Sequence, residues 1–264
     1  MRVEHKASRP GSLGGWVRWP DVFVDVHSHV VPSGDDGVKT EAEGLELCRE
    51  AAERGTAVLF ATPHVWPHFR LDEEREEDVR AAHARMAVQA RRVGLDLRLG
   101  WELTPTPRLL SEDVSRYRLG GLPAVLMEVP FVGSLELAEA LAEKIEAAGL
   151  TPVIAHPERA AAALDDPAAA RRLRTGDRLL QVNTTSLLGY HGAEIEAEGW
   201  RLVDEGLADL VGSDGHRLAR PPFLDAAYEL VRARVGEAAD ALFDGRALPG
   251  LVGAADGLDL AQRG

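Results

Sequence analysis

Cysteine is nearly absent from this chain. Cys48 is the single one among 264 residues. That excludes an internal disulfide framework and any zinc or iron–sulfur site built on several thiolates. No apolar run approaches the roughly 18 residues of a membrane-spanning helix. Residues 1–20 lack the apolar stretch of a secretory signal, so a cytoplasmic location is expected. Positive charge is in deficit: 30 Lys and Arg face 43 Asp and Glu, for a net charge of −13. Such a surface repels nucleic acid and anionic lipid unless a basic patch intervenes, and none stands out. Low-complexity tracts and internal repeats are also missing.

What remains is an ordinary globular balance, 45% hydrophobic and 28% charged, with enough chain to bury a large core. Residues 1–20, rich in Gly and Pro, read as a flexible extension, with Trp16 and Trp19 candidates for docking on the surface. Residues 21–264 are expected to form a single domain. Seven short runs read as strands: 22–26, 57–62, 95–101, 124–129, 151–155, 179–183 and 207–212. Most are rich in Val, Ile or Leu without strict alternation, as in parallel strands buried on both faces. Helical patterns lie between most of them, at 39–55, 71–92, 134–149, 166–174, 193–206 and 222–236. Ser134 and Asp166 are the expected N-caps of the third and fourth, with Pro167 at the first helical position. Strands alternating with helices predict βαβ units and a parallel sheet. The expected fold is therefore α/β, a (β/α) barrel one strand short of eight; an open doubly wound sheet is the alternative.

The residues that follow each strand carry the chemistry. The first run leads into His27-Ser28-His29 and the second into Pro63-His64. The third ends in Trp101-Glu102, the fourth carries Glu128, the fifth runs into His156-Pro157-Glu158-Arg159, and the seventh into Ser213-Asp214-Gly215-His216. In an α/β barrel the C-terminal strand ends converge on one mouth. Any one of these side chains has a structural explanation; six coincident placements do not. His5, His68, His83 and His191 fall outside the pattern and read as surface or loop residues. Several carboxylates in one apolar mouth repel one another unless cations sit between them. The candidate ligands are His27, His29, Asp35, His64, Glu102, Glu128, His156, Asp214 and His216. Nine are too many for one ion and suit two or three ions sharing a bridging carboxylate, the arrangement used in phosphoester hydrolysis. Mixed imidazole and carboxylate suits Mn²⁺, Fe²⁺ or Zn²⁺, and softness alone does not choose. Each of the pairs His27/His29 and Asp214/His216, two residues apart on an extended segment, is expected to point to one side.

The stretches 25–37 (DVHSHVVPSGDDG), 61–64 (ATPH), 100–103 (GWEL), 127–130 (MEVP), 154–159 (IAHPER), 181–192 (QVNTTSLLGYHG) and 212–222 (GSDGHRLARPP) form an ordered set. It resembles the polymerase-and-histidinol-phosphatase (PHP) superfamily, and within it the CpsB/CapC-type bacterial protein-tyrosine phosphatases. The resemblance implies a distorted seven-stranded, TIM-barrel-like (β/α) barrel with three metals, usually Mn²⁺. It implies that His27, His29, Glu102 and Asp214 hold one ion, and that Glu102 bridges to a second completed by Glu128 and His156. Asp35, His64 and His216 would hold the third. It also implies a phosphotyrosine-bearing protein as substrate, the tyrosine-rich tail of a bacterial tyrosine kinase of capsule or exopolysaccharide export. Two departures stand out: Val65 follows the TPH motif where a second His is usual, and Arg220 lies four residues after His216 rather than five.

Phosphoryl transfer needs an in-line nucleophile and positive charge on the equatorial oxygens. A metal-bridging hydroxide would supply the first. The ions with Arg159 and Arg220 would supply the second, although a structural salt bridge explains Arg159 about as well. Cys48 to Arg54 spells C-x5-R, the signature of thiolate tyrosine phosphatases. The residues between are a helical run without Gly, so no free backbone N–H groups await a phosphate. Cys48 is therefore read as a buried helix-face residue. The alternatives are a small-molecule phosphatase of the histidinol-phosphatase kind, a nuclease of the same superfamily, and a metal-binding scaffold without turnover.

Overall fold

The computed structural model describes residues 22–251. The expectations for residues 1–20, Trp16 and Trp19 included, lie outside the described residues. Nine parallel strands are present among the described residues: β1 (Phe23–Ser28), β2 (Thr56–Ala61), β3 (His64–Val65), β4 (Asp96–Leu99), β5 (Glu102–Leu103), β6 (Ala124–Glu128), β7 (Thr151–Ala155), β8 (Leu179–Asn183) and β9 (Leu210–Gly212). They pair as two sheets, β1-β2-β4 and β3-β5-β6-β7-β8-β9.

The α/β class and the parallel pairing match the sequence reading; the count of seven strands in one barrel sheet does not. The extra two, β3 and β5, lie just past the ends of the second and third expected runs. Pro63, which has no N–H to give a ladder, separates β2 from β3. Gly100 and Trp101 separate β4 from β5. There the segment Arg118–Gly120 inserts: Gly120 N donates to Leu99 O, Leu119 N donates to Ala124 O, and a Cβ on Gly100 would lie 2.6 Å from Leu119 Cδ2. β2 and β4 belong to one sheet, and the short strands β3 and β5 that follow them to the other. At the opposite edges, Asp214 N donates to His27 O and His29 N to Gly215 O, which joins the segment after β9 to the end of β1.

Both sheets share one interior. Val24, Val26, Val58, Phe60, Ala124, Leu126, Val153, Ala155, Leu179 and Leu210, alternate residues of six strands, form a single buried cluster. The opposite faces pack on helices, as Leu59, Val125, Met127, Ile154, Leu180 and Val182 do in a second cluster. This two-sided burial is why the strands lack a clean polar alternation.

The helices fall close to the expected positions. Thr40 caps Glu41–Glu53 by accepting from Glu43 N, and Asp72 caps Glu73–Arg91 by accepting from Arg75 N. Asp166 accepts from Ala168 N at the start of Ala168–Leu173. Ser134 does not cap: the helix Glu136–Ala147 begins after Leu135, with no side-chain cap bond. No helix among the described residues is long and apolar enough to cross a membrane.

Candidate metal centre

The interior parity of the strands ends at the C-terminal mouth, and three local irregularities turn the polar side chains into it. Val24 and Val26 face inward, so strict alternation would turn His27 out. A register shift between Asp25 and Ser28 turns His27 and His29 inward instead. Asp25 Oδ1, accepting from His27 N and Ser213 N, fixes that shift. Burial pushes the Asp25 carboxyl up to about 6. His156 (φ 35°) and Asp214 (φ 51°) are the two non-glycine residues with left-handed backbone among those described. Asp214 and His216 are therefore not on an extended segment, as the sequence spacing suggested. Such strain is typical of site residues whose aim is fixed by their surroundings.

The donor atoms lie at ligand spacing. His27 Nε2 and His29 Nε2 are 3.3 Å apart. They lie 3.1 and 3.3 Å from Glu102 Oε2, and each lies 3.5 Å from Asp214 Oδ1. Ligands about 2.1 Å from one ion are about 3.0–3.4 Å from one another in octahedral or tetrahedral arrangement. A second group is Glu102, Glu128 and His156, and a third is His29, Asp36, His64 and His216. Glu102 serves two of these groups, and its Oε1 lies 3.0 Å from His156 Nε2.

The third group departs from expectation. The structure places Asp36, not Asp35, beside His64 and His216: its Oδ1 is 3.6 and 3.2 Å from their Nε2 atoms. Asp35 sits behind the ligands. Its Oδ2 accepts from His29 Nδ1 (3.2 Å) and from His64 N (3.1 Å), and its Oδ1 accepts from Gly37 N. Gly37 is required for this turn, since a Cβ there would lie 2.4 Å from His29 O.

An outer layer sets the imidazole tautomers. His27 Nδ1 donates to Gln181 Oε1 (2.9 Å) and His29 Nδ1 to Asp35, while His216 Nδ1 lies between Asp214 O and Arg220 Nη2. For His27 and His29 this leaves an Nε2 lone pair turned into the centre, as metal-bound histidines require. Gln181 and Asn183 fall in the stretch 181–192 that carries the resemblance, but neither was a candidate site residue. Gln181 Nε2 donates to Asn183 Oδ1, and Asn183 Nδ2 donates to Asp214 Oδ2 at 2.9 Å. They come from β8, the one strand run that supplied no candidate ligand.

Electrostatics also fit bound cations. Burial, reinforced by the Glu102 charge, pushes the Glu128 carboxyl up to about 7. Burial opposes ionisation of Glu102, yet His27, His64 and His156 hold its carboxyl well below the usual range. Burial likewise opposes protonation of His29, and is outweighed by its bonds to Asp214, Asp35 and Glu102. Glu102 Oε2, His64 Nδ1 and His216 Nε2 are buried with no hydrogen-bond partner in the described structure. A cluster that attracts protons and leaves lone pairs unpaired is what a divalent cation satisfies.

An open cleft of about 440 Å³ lies above these ligands. Asp36, His64, Glu128, His156, Asp214 and His216 line it with Arg159 and Arg220. Arg159 Nη1 donates to Asp214 Oδ2 (3.0 Å), and its guanidinium lies 4.5 Å from the Phe131 ring centre. Arg220 Nη2 is 3.5 Å from Asp214 Oδ1, and Arg220 Nε has no acceptor. His68 lines the same cleft, which the sequence pattern had put outside it. His191 bonds to Thr185 Oγ1 (2.9 Å); burial, then Arg159 and Arg220, lower its pKa to about 4. His83, on the helix Glu73–Arg91, bonds to Leu97 O of β4. Cys48 is fully buried, and burial pushes its thiol up to about 12. Arg54 is paired with Asp225 Oδ2 (2.8 Å), so the C-x5-R string forms no site.

Fold and site together define a parallel α/β protein with an imidazole–carboxylate ligand cluster beneath an open, arginine-flanked cleft. The chain belongs to the CpsB/CapC family of capsular polysaccharide synthesis, whose profile matches residues 23–244. It is 28% identical over 204 residues to the tyrosine-protein phosphatase YwqE of Bacillus subtilis, covering 74% of this chain and 78% of that protein. It is 27% identical over 237 residues to the tyrosine-protein phosphatase CpsB of Streptococcus agalactiae, covering 84% and 95%. Among solved structures, one described under YwqE from B. subtilis and CpsB from Streptococcus pneumoniae, "unique metal-dependent tyrosine phosphatases", superposes with a TM-score of 0.71. The identity there is 27%, covering 82% of this chain and 89% of that one.

Proposed function

We propose that this protein is a metal-dependent protein-tyrosine phosphatase of capsule or exopolysaccharide synthesis, acting in the cytoplasm on a bacterial tyrosine kinase. The carrying observation is the sharing of Glu102 between ligand groups beneath a cleft that two arginines enter. The two sheets are read as one distorted (β/α) barrel, on the strength of their common interior and the bonds between the ends of β1 and β9.

His27, His29, Glu102 and Asp214 would hold one ion, Glu102, Glu128 and His156 a second, and Asp36, His64 and His216 a third. Mn²⁺ is the favoured metal. Bound divalent ions supply an activated water and Lewis-acid stabilisation of the phosphate. The chain's own part is to hold the phosphate in line and to offset its growing equatorial charge. Asp214 takes one of the five N–H groups of Arg159, which leaves the others for a phosphate oxygen. Arg220, with Nε unpartnered, approaches from the loop after His216. A phenolate leaving group, of pKa about 10, departs without a strong general acid.

The test is hydrolysis of phosphotyrosyl peptide, histidinol phosphate and single-stranded DNA by protein of measured metal content. Mn²⁺-dependent release from the peptide in clear preference to the others is expected. Equal or better turnover of histidinol phosphate or DNA would replace this reading.

A further inference from the structure

The cleft has two aromatic residues, Trp66 and Phe131, that offer no donor atom to an ion and none aimed at a phosphate. Trp66 follows β3 and Phe131 follows β6, and both line the cavity above the ligands. In the sheet, β3 and β6 are separated only by β5. Neighbouring strands lie about 4.8 Å apart, so the strand ends that precede the two residues are roughly 9–10 Å apart. Thr104, just past the end of β5, lies between them on the cavity lining and donates to Glu128 Oε1.

Both aromatics are held in place. Trp66 exchanges backbone hydrogen bonds with Phe69 across a tight turn (3.2 and 3.1 Å). Its ring stacks on His64 at 4.3 Å and 27°. Phe131 is 44% exposed, with its ring 5.5 Å from His156 and beneath the Arg159 guanidinium. A planar ring in contact with a wall on each side needs about 3.5–4.0 Å per contact, a width that strand ends two ladders apart can frame.

We infer that Trp66 and Phe131 form a slot for the aromatic ring of an aryl phosphate, and that this slot selects aryl over alkyl phosphomonoesters. The inference rests on the phosphatase reading and names the residues that set its substrate class. An aryl ring would meet the walls stacked or edge-to-face. A phosphoserine side chain is too short to reach them. Phe131 has a second role as a positioning residue, since it also supports Arg159.

The test uses the Mn²⁺-loaded protein and calorimetric binding of three non-hydrolysed anions: phenylphosphonate, cyclohexylphosphonate and inorganic phosphate. The wild type is expected to prefer phenyl over cyclohexyl by about fivefold to tenfold. Trp66→Leu, which keeps apolar bulk over His64, is expected to reduce that preference below about twofold, with phosphate affinity and metal content unchanged. Phe131→Leu is expected to lose the preference and also to weaken phosphate several-fold, through Arg159. The slot is wrong if the wild type shows no phenyl preference, if Trp66→Leu keeps it, or if Trp66→Leu weakens all three anions equally. A wild type that binds none of the three and hydrolyses no phosphomonoester overturns the phosphatase reading itself, and the slot with it.

Discussion

At the scale of single residues, the adjacent carboxylates Asp35 and Asp36 do different work. Asp36 reaches His64 and His216 directly, whereas Asp35 grips His29 from behind. Asp36→Ala is therefore expected to lower the number of ions bound per chain. Asp35→Asn should keep the stoichiometry and weaken affinity by about 10–100-fold. Metal titration of both variants decides this, and equal loss of stoichiometry in the two would refute the division of labour. The sequence made the pair visible but could not say which carboxylate faces in, because the turn at Gly37 that separates them is a three-dimensional fact. Gln181 and Asn183 stayed hidden for another reason: neutral amides carry no ligand signal, and only their position at the end of a strand run pointed to the mouth. Arg159→Lys is expected to lower kcat/KM by more than it lowers metal content, since Lys keeps the charge but not the planar fork that reaches Asp214 and the phosphate together. Arg220→Lys should cost less, because its contact to Asp214 is longer. Unchanged kcat/KM in both would leave the phosphate to the ions alone. Cys48 belongs to a different category. Its thiol is buried and held un-ionised at neutral pH, so Cys48→Ser should leave turnover within a few-fold, and a loss of turnover in a folded variant would revive a thiolate mechanism.

At the scale of elements, the helices and the seven strand runs follow from local chemistry, and the short strands β3 and β5 past two of those runs show where local chemistry stops. Pro63 marks one break plainly. The other, at Gly100, depends on the insertion of Arg118–Gly120 from later in the chain, which no local pattern announces. The same holds for the mouth. The spacing His27-Ser28-His29 suggests two imidazoles on one side, and the register shift after Asp25 is what makes that side the inner one. For Asp214 and His216 the spacing suggests the same geometry, but left-handed backbone at Asp214 achieves the convergence instead. Caps can be tested without touching this machinery. Thr40 accepts from Glu43 N at the start of Glu41–Glu53. Thr40→Ala should cost about 1 kcal/mol and lower Tm by about 2–4 °C. Its steady-state constants should be those of the wild type; a change in kcat would mean that this helix end communicates with the loop of Asp35 and Asp36.

At the scale of the whole molecule, folding gathers Glu102, Glu128 and Asp214 with five imidazoles into a site where nearly every ligand is buried. In the unfolded chain these groups are dispersed and hydrated, so a cation binds the folded state almost exclusively. Binding of that kind is linked to stability by mass action: Mn²⁺ at about 1,000 times its dissociation constant adds about 4 kcal/mol. For a chain of this size each kcal/mol moves Tm by about 2–4 °C, so saturation should raise Tm by roughly 10 °C over the chelated protein. The direction follows from the carboxylates. Without a cation, burial and Glu102 already drive Glu128 up to about 7, and the cluster must take up protons to limit its own repulsion. A cation removes the conflict and releases those protons, so Mn²⁺ binding should acidify a weakly buffered solution. Thermal denaturation with chelator and with Mn²⁺, alongside proton release on titration, reads both consequences in one sample. Identical Tm in the two conditions, with no protons released, would mean that the ligand cluster at the strand ends is held by its own hydrogen bonds and takes up no metal.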